Sequence, residues 1–364
     1  MTDMLIAGGG LAGAAAAIAL AQAGRDVTLL ERETAPRHKI CGEFISTEAR
    51  DYLRALGVDP VALGARRLTH LAFTRGGRRL LTPLPFAALS LTRRTLDEAL
   101  LHRAAGAGAR VERGVTVRQI RDERFVTTDR LGTLTPRHLM LATGKHEARG
   151  MARAGRPSGL IGFKTYLTLP RPARAALAGH IELFLFPGGY GGLQPVEGEL
   201  VNLCLLVTTE TYARLGTWAA LRAHIEATTP ALADRLAGAT EALARPLTIA
   251  QVPYGFVHRG DGPAFRLGDQ AAVIHSFTGD GMSIALHSAA RAARTHLAGG
   301  TAADYHRRLT ADVGGQIARA QALHRLVSLP GLAPALFAIA RLMPAALQLC
   351  ATSTRIAPRA RLAA

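Results

Sequence analysis

Met4-Leu5-Ile6-Ala7-Gly8-Gly9-Gly10-Leu11-Ala12-Gly13 opens the chain as four apolar residues, a glycine cluster and the start of an alanine-rich run. A second apolar stretch, Asp26-Val27-Thr28-Leu29-Leu30, follows and ends at Glu31. Strand, glycine turn, helix and second strand with a terminal acid make a βαβ unit that binds a dinucleotide. Each position has its reason. Gly8 permits the tight turn, Gly10 lets the backbone approach a pyrophosphate, and Gly13 lets helix and strand pack closely. The amides of Leu11 and Ala12, at the start of the helix, face the phosphates, and the helix dipole adds roughly 0.3–1 kcal/mol there. Glu31, with Arg32 beside it, is placed at the adenosine ribose. A carboxylate at that point disfavours a 2′-phosphate, which selects FAD or NAD over NADP.

Composition bounds the rest. The 364 residues exceed what one core usually supports, so one large or two closely packed domains are expected. A hydrophobic content of 48% and a mean hydropathy of +0.14 describe a globular protein. The net charge of +17 raises nucleic acid or an anionic membrane as a partner. Nucleic acid is not expected, because Lys39, Lys145 and Lys164 are the only lysines and the arginines are scattered, without a basic run interleaved with aromatics. Cys41, Cys204 and Cys350 form no C-x-x-C pair, so no metal site and no dithiol centre is expected, and a reducing cytoplasm suits them. The first strand begins almost at Met1, which leaves no room for a signal peptide. No run reaches the roughly 20 apolar residues of a membrane span. The nearest, from Leu326 to Ile356, is broken by Pro330, Pro334, Arg341 and Pro344. It reads as packed terminal helices, with a peripheral membrane contact or a lid over an apolar channel as alternatives.

Along the chain the dinucleotide unit is interrupted. Short alternating strands around the turn Gly76-Gly77, a β-rich stretch from about Leu160 to Val207, helices between Thr211 and Leu243 and a strand at Leu247 to Pro253 all intervene. The expected fold is α/β. Residues 1–65, 86–155 and 260–325 form a Rossmann-like FAD-binding domain. Residues 66–85 and 156–259 form a β-sheet-rich substrate domain interleaved with it, and 326–364 form C-terminal helices.

Two later segments narrow the cofactor. Leu267-Gly268-Asp269-Gln270-Ala271-Ala272 ends a strand with an acid, and about ten residues on Thr278-Gly279-Asp280-Gly281-Met282-Ser283 opens an apolar helix. A domain that holds NAD alone has no need of this second phosphate-friendly turn. The arrangement resembles the family of FAD-dependent aromatic hydroxylases and geranylgeranyl reductases. The resemblance implies that Gly268 and Asp269 meet the ribityl arm, and that Gly279, Gly281 and Met282 abut the flavin ring. A helix N-terminus there would stabilise the anion of the reduced ring. Leu91-Thr92-Arg93-Arg94-Thr95-Leu96-Asp97 resembles the family's phosphate-binding arginine segment, which makes Arg93 a cofactor residue. The alternative is an exposed arginine in a turn capped by Thr92 or Thr95. By the same resemblance Val115 holds the adenine edge, and Thr143-Gly144 is the turn near the adenosine. Hydroxylases carry Asp-Gly at this turn, so handling of NADPH differs here.

Lys39-Ile40-Cys41-Gly42 looks like the segment near the flavin in geranylgeranyl reductases. Cys41 then touches substrate, or is a buried structural thiol. Phe186-Pro187-Gly188-Gly189-Tyr190-Gly191-Gly192 resembles the reductases' glycine- and tyrosine-containing turn, making Tyr190 a proton donor or a ring wall, or else an ordinary hairpin tyrosine. His275-Ser276-Phe277 replaces a proline-containing loop, and His275 is either a general acid or a hydrogen-bonded loop histidine. The expectation is an FAD enzyme that uses NADH or NADPH to hydroxylate an apolar aromatic or polyketide-like small molecule. The alternatives are reduction of C=C bonds in an isoprenoid or lipid, and a non-catalytic FAD-binding protein. The catalytic set is Cys41, Tyr190 and His275, no metal is involved, and the location is cytoplasmic, with membrane association through the C-terminal helices left open.

Overall fold

The computed structural model describes residues 3–155, 157–329 and 331–362. Met4–Ala7 and Val27–Glu31 form parallel strands on either side of the helix Leu11–Gln22 in sequence. The complete parallel sheet runs Phe265–Arg266, His138–Leu141, Met4–Ala7, Val27–Glu31, Arg110–Arg113. Leu11–Gln22 is apolar on every side, with Ala14, Ala15, Ala16 and Ala17 all buried. A helix of that kind must be enclosed. It packs on the helices Arg93–Gly106 and Gly281–Leu297, and its small side chains let both approach closely.

Across the molecule lies a nine-stranded sheet. Its central ladder pairs Leu160–Thr168, Leu200–Thr208, Gly189–Pro195 and His180–Phe186 antiparallel in that order, and His180–Phe186 then pairs parallel with Arg66–Arg75. Gly189–Pro195 is a full strand where a turn was expected; the turn is Pro187-Gly188 alone. The reason lies in the glycines. A Cβ on Gly191 would run into the ring of Phe184, and one on Gly189 into the ring of Phe186. Bare backbone lets two phenylalanines lie across a neighbouring strand. Arg78–Ser90 likewise extends past Pro85 to Ser90. Pro83 and Pro85 are accommodated because Phe44–Ile45, the next strand outward, pairs only with Ser90 and Leu89. The helices Thr209–Leu215, Trp218–Thr228 and Pro230–Leu236 cover the other face and close a second core.

The long helix Ala302–Ser328 starts with a reciprocal cap between Thr301 and Asp304. Helices Leu332–Leu342 and Pro344–Ser353 follow, and the axis turns by 104° between Pro334–Leu342 and Pro344–Ala360. They lean on the sheet through Phe337, whose ring lies 5.4 Å from that of Phe73, and through Gln348, which donates to the Pro83 carbonyl at 3.2 Å. The molecule is thus a Rossmann-like domain interleaved with a β-sheet domain and finished by helices.

Gly13 is the tightest point of the dinucleotide unit: a Cβ there would overlap the Gly8 carbonyl oxygen. Gly13→Ala should therefore push the turn away from the helix and abolish nucleotide binding, with destabilisation of about 1–3 kcal/mol. Flavin content after purification and a denaturation curve measure the two effects.

Candidate active site

The first helix begins at Gly10 with no side-chain cap, so its leading amides are free to meet an anion. Two cations lie over this turn. A Cβ on Gly10 would sit 3.4 Å from Arg93 Nη2 and 3.9 Å from Lys39 Nζ. Both cations are held by Asp97, with Arg93 Nε at 2.7 Å and Lys39 Nζ at 2.9 Å. Burial works to raise the Asp97 pKa, but Arg93 and Lys39 overcome it and hold the carboxyl below its usual range. Uncapped amides, a glycine without side chain and two fixed cations suit a pyrophosphate. Arg93 is thus at the cofactor turn, while the helix cap itself is Thr92, which accepts from the Thr95 amide.

Glu31 supports the turn from behind. Its two carboxylate oxygens accept from the Gly9 and Glu33 amides, both at 2.9 Å. The Val115 amide donates to the Glu31 carbonyl at 3.0 Å, and Arg32 contacts His146 Nε2 at 3.2 Å. Gly8, Gly13, Glu31, Arg32, Val115 and Thr143 lie behind or beyond the cavity rather than on its wall. Gly10, Leu11, Ala12, Cys41, Arg93, Gly144, Gly268, Asp269, Gly279, Gly281 and Met282 do line it. Sequence-predicted residues from several separate stretches of the chain therefore converge on one cavity.

At the far end, Asp269 is ion-paired with Lys145 Nζ at 3.1 Å. Burial disfavours the Lys145 charge, yet Asp269 outweighs it and holds the ammonium protonated. Gln270 fixes the neighbouring turn, donating to the carbonyls of Gly144 at 2.7 Å and His146 at 2.9 Å. Gly281 and Met282 form the start of the helix Gly281–Leu297, again without a side-chain cap. Beside them Asp280 is fully buried, and burial raises its pKa to about 6 against the pull of Arg355, which binds it at 2.6 Å.

The segment 38–44 forms the partition between this cavity and a second one. Glu43 has a left-handed backbone, φ 59°, without being glycine. One of its oxygens accepts from the Arg93 amide at 2.7 Å, the Tyr166 hydroxyl at 2.7 Å and Lys164 Nζ at 2.6 Å. Lys164 and Glu43 are both completely buried. Lys164 also donates to the Lys39 carbonyl at 3.0 Å, while Gln194 and Asn202 donate to the Gly42 carbonyl at 2.8 and 2.9 Å. Gly42, which lines both cavities, is thus pinned between them, and Cys41 beside it lines the first. Their partners, Glu43, Lys164, Gln194, Asn202 and also Lys145, were not singled out from sequence. One signal was available: the chain has forty-one arginines and three lysines, and all three lysines are at this site.

The second cavity, of about 260 Å³, is walled almost wholly by aliphatic and aromatic side chains, among them Leu71, Phe73, Phe86, Ile181 and Leu183. It shares Gly42, Phe44, Cys204, Leu205, Leu206, Ser276 and Gly279 with the first. Tyr190 lines it, with a buried hydroxyl that makes no full hydrogen bond, and burial raises that hydroxyl's pKa well above its ordinary value. His275 lines neither cavity. Its Nε2 meets Gln321 Oε1 at 2.9 Å, and its ring is stacked between those of His324, at 4.0 Å, and Tyr254, at 4.9 Å. Of the two readings of His275 left open by the sequence, this geometry matches the hydrogen-bonded loop histidine.

Comparison with known proteins agrees with the cofactor site. The family model described as pyridine nucleotide-disulphide oxidoreductase matches residues 3–64. A menaquinone reductase of Mycolicibacterium smegmatis is 28% identical, the match covering 82% of this chain and 77% of that protein. A tryptophan 2-halogenase of Chondromyces crocatus is 27% identical over 80% of this chain, which spans only 60% of that relative's length. Among solved structures, a flavin-dependent brominase superposes with a TM-score of 0.80 at 17% identity, over 100% of this chain and 96% of that one. A myxobacterial chondrochloren halogenase, described as FAD-dependent, gives 0.75 at 21% identity, over 99% and 94%. The chain therefore has the fold of an FAD-dependent oxidoreductase, and FAD is the dinucleotide its glycine turn, Arg93 and Asp269 suit.

Two predictions follow from the site's electrostatics. Asp269→Ala should weaken FAD binding by about 1–3 kcal/mol through loss of hydrogen-bond acceptors and of the Lys145 partner, read by flavin fluorescence on titrating apoprotein. The second concerns acid. Burial lowers His38, His275 and His306 from 6.5 to about 4 each. Between those values the unfolded chain binds more protons, so stability is present above about pH 6.5 and is lost as pH falls toward 4. The melting temperature should drop across that window, and His275→Phe should lessen the drop; an unchanged profile removes His275 from the account.

Proposed function

We propose that this chain is an FAD-dependent oxidoreductase that reduces a carbon–carbon double bond in an apolar, isoprenoid-like small molecule, with NADH or NADPH as external reductant. One observation carries the reading. A cavity with an almost wholly apolar wall adjoins the cofactor cavity across the pinned Cys41-Gly42 segment. Such a wall favours a substrate made mainly of hydrocarbon and gives no purchase to a charged one. The resemblance of Lys39-Ile40-Cys41-Gly42 to geranylgeranyl reductases, and the menaquinone reductase among the relatives, support the same choice.

FAD, once reduced by the nicotinamide, would supply a hydride to one alkene carbon, leaving one proton to be added to the other. The protein's own residues do the remainder. Arg93, Lys39 and the amides after Gly10 balance the pyrophosphate charge, and Asp269 accepts from ribityl hydroxyls while Lys145 offsets its charge. The amides of Gly281 and Met282 direct the positive end of a helix dipole at the cavity, where negative charge on the reduced ring is stabilised. The aliphatic wall excludes water and orients the substrate. Tyr190 supplies the proton that the second alkene carbon must receive. Its hydroxyl is protonated at neutral pH and is uncommitted to another acceptor.

A second reading, hydroxylation of an apolar aromatic ring, is favoured by His324. This residue lines the same cavity, and burial lowers its pKa, so at neutral pH it presents an unprotonated ring nitrogen that can accept a phenolic proton. The two readings separate on anaerobic turnover of a polyprenylated quinone with reduced nicotinamide. Gain of two hydrogen atoms per turnover without oxygen supports reduction; a requirement for oxygen with gain of one oxygen atom overturns it. Tyr190→Phe should keep FAD and thermal stability, since it removes an unpaired buried hydroxyl, and should lower reductive turnover by about 10²-fold or more. Cys41→Ser should retain FAD and change turnover or product pattern. If it lowers only the melting temperature, the thiol is structural.

A further inference from the structure

We propose that the bend between the two terminal helices is a docking surface for an anionic phospholipid bilayer, through which an apolar substrate reaches the second cavity. Among the described residues, the large apolar side chains most exposed are gathered there: Leu342 is 79% exposed, Leu349 69% and Met343 61%, with Ile339 beside them. Isolated exposed leucines are ordinary, but a cluster on one helical bend marks a contact surface. Among the described residues no single helix is long and apolar enough to cross a membrane, and the 104° turn suits a segment that lies in the interface with its tip immersed.

Charge selects the partner. From residue 313 onward the chain contains no aspartate or glutamate, while it contains six arginines. Arg355 and Arg361 are ion-paired with Asp280 and Glu48, and Arg319 donates to the Ser353 carbonyl. Arg325, Arg341 and Arg359 have no carboxylate partner among the described residues. A protein partner with an apolar groove needs only the leucines. Leucines beside unpaired arginines, with no acid to repel phosphate, match the headgroup boundary of an anionic leaflet.

The same helices wall the substrate cavity. Leu347, Cys350 and Ala351 line it from one helix and Val327 from the end of the long one. Immersing the tip therefore brings the cavity rim to the hydrocarbon boundary, so an apolar molecule need not cross water. The proposal rests on the apolar-substrate reading of that cavity, but its test uses neither substrate nor turnover.

The full chain loaded with FAD should co-sediment with vesicles of phosphatidylcholine containing phosphatidylglycerol, bind pure phosphatidylcholine vesicles less, and lose binding as salt rises. Leu342→Glu and Met343→Glu should each reduce partitioning about tenfold or more. Both should keep bound FAD and an unchanged melting temperature. Leu131→Glu, at an exposed leucine on the small hairpin far along the chain, should bind like the parent. Absence of vesicle binding, or binding that Leu342→Glu and Met343→Glu leave intact, overturns the proposal. A dimer that Leu342→Glu dissociates, with no vesicle binding, assigns the surface to a second copy of the chain and also overturns it. Failure here leaves alkene reduction standing, and failure of reduction in detergent-dispersed substrate leaves vesicle binding standing.

Discussion

A single carboxylate oxygen, Glu43 Oε1, gathers a lysine, a tyrosine hydroxyl and a backbone amide in the dry space between two domains. The amide belongs to Arg93 and so to the dinucleotide domain, while Lys164 and Tyr166 belong to the large sheet. Glu43 itself sits on the segment between the two cavities. Burial pushes the Glu43 carboxyl toward neutrality, and Lys164 holds against it. A buried ion pair is a poor source of net stability, since desolvation offsets most of the attraction, but breaking one half leaves an uncompensated charge. Its value is positional. With a left-handed backbone at Glu43 and two amide side chains on the Gly42 carbonyl, Cys41 has little freedom to leave the junction.

The division of polarity between the two cavities depends on that partition. On one side the walls carry Arg93, Lys145 and Asp269, all paired, with Asp97 and Lys39 behind Arg93, and two uncapped helix starts. On the other the wall is hydrocarbon with a few isolated polar tips. An electron donor that is itself highly charged can then lie beside a substrate that avoids charge, and neither environment has to be compromised for the other.

The sequence made the dinucleotide unit legible because its constraints are local. Gly8, Gly10 and Gly13 answer to steric limits within one turn, and the strand-to-Glu31 spacing lies within a single βαβ unit. Gly268-Asp269 and Gly281-Met282 were readable for the same reason. The central strands of the large sheet were readable, but its short edge strands Phe44–Ile45 and Thr240–Glu241 and the full length of Arg78–Ser90 were not, nor was Gly189–Pro195, whose glycines respond to phenylalanine rings on a neighbouring strand and not to their own backbone. Glu43 and Lys164 are separated by more than a hundred residues, and nothing near either announces the other. The sequence left His275 open between a general acid and a hydrogen-bonded loop histidine, because only the fold reveals that His324, Tyr254 and Gln321 contact it. The scarcity of lysine was the overlooked hint: where arginine serves every surface, a lysine marks a place where a compact ammonium fits and a planar guanidinium does not.

Arg355 gives the architecture an order in time. It binds Asp280 and the Thr278 carbonyl, both buried, and its guanidinium lies 4.4 Å from the centre of the Phe86 ring. It follows Asp280 by 75 residues in the chain. While the polypeptide is being made, the turn that carries Asp280 therefore precedes the cation that neutralises its carboxylate. Until then the carboxylate is better left in water than buried. Burial of the Asp280 carboxylate therefore waits on a residue that follows every strand of both sheets in the chain.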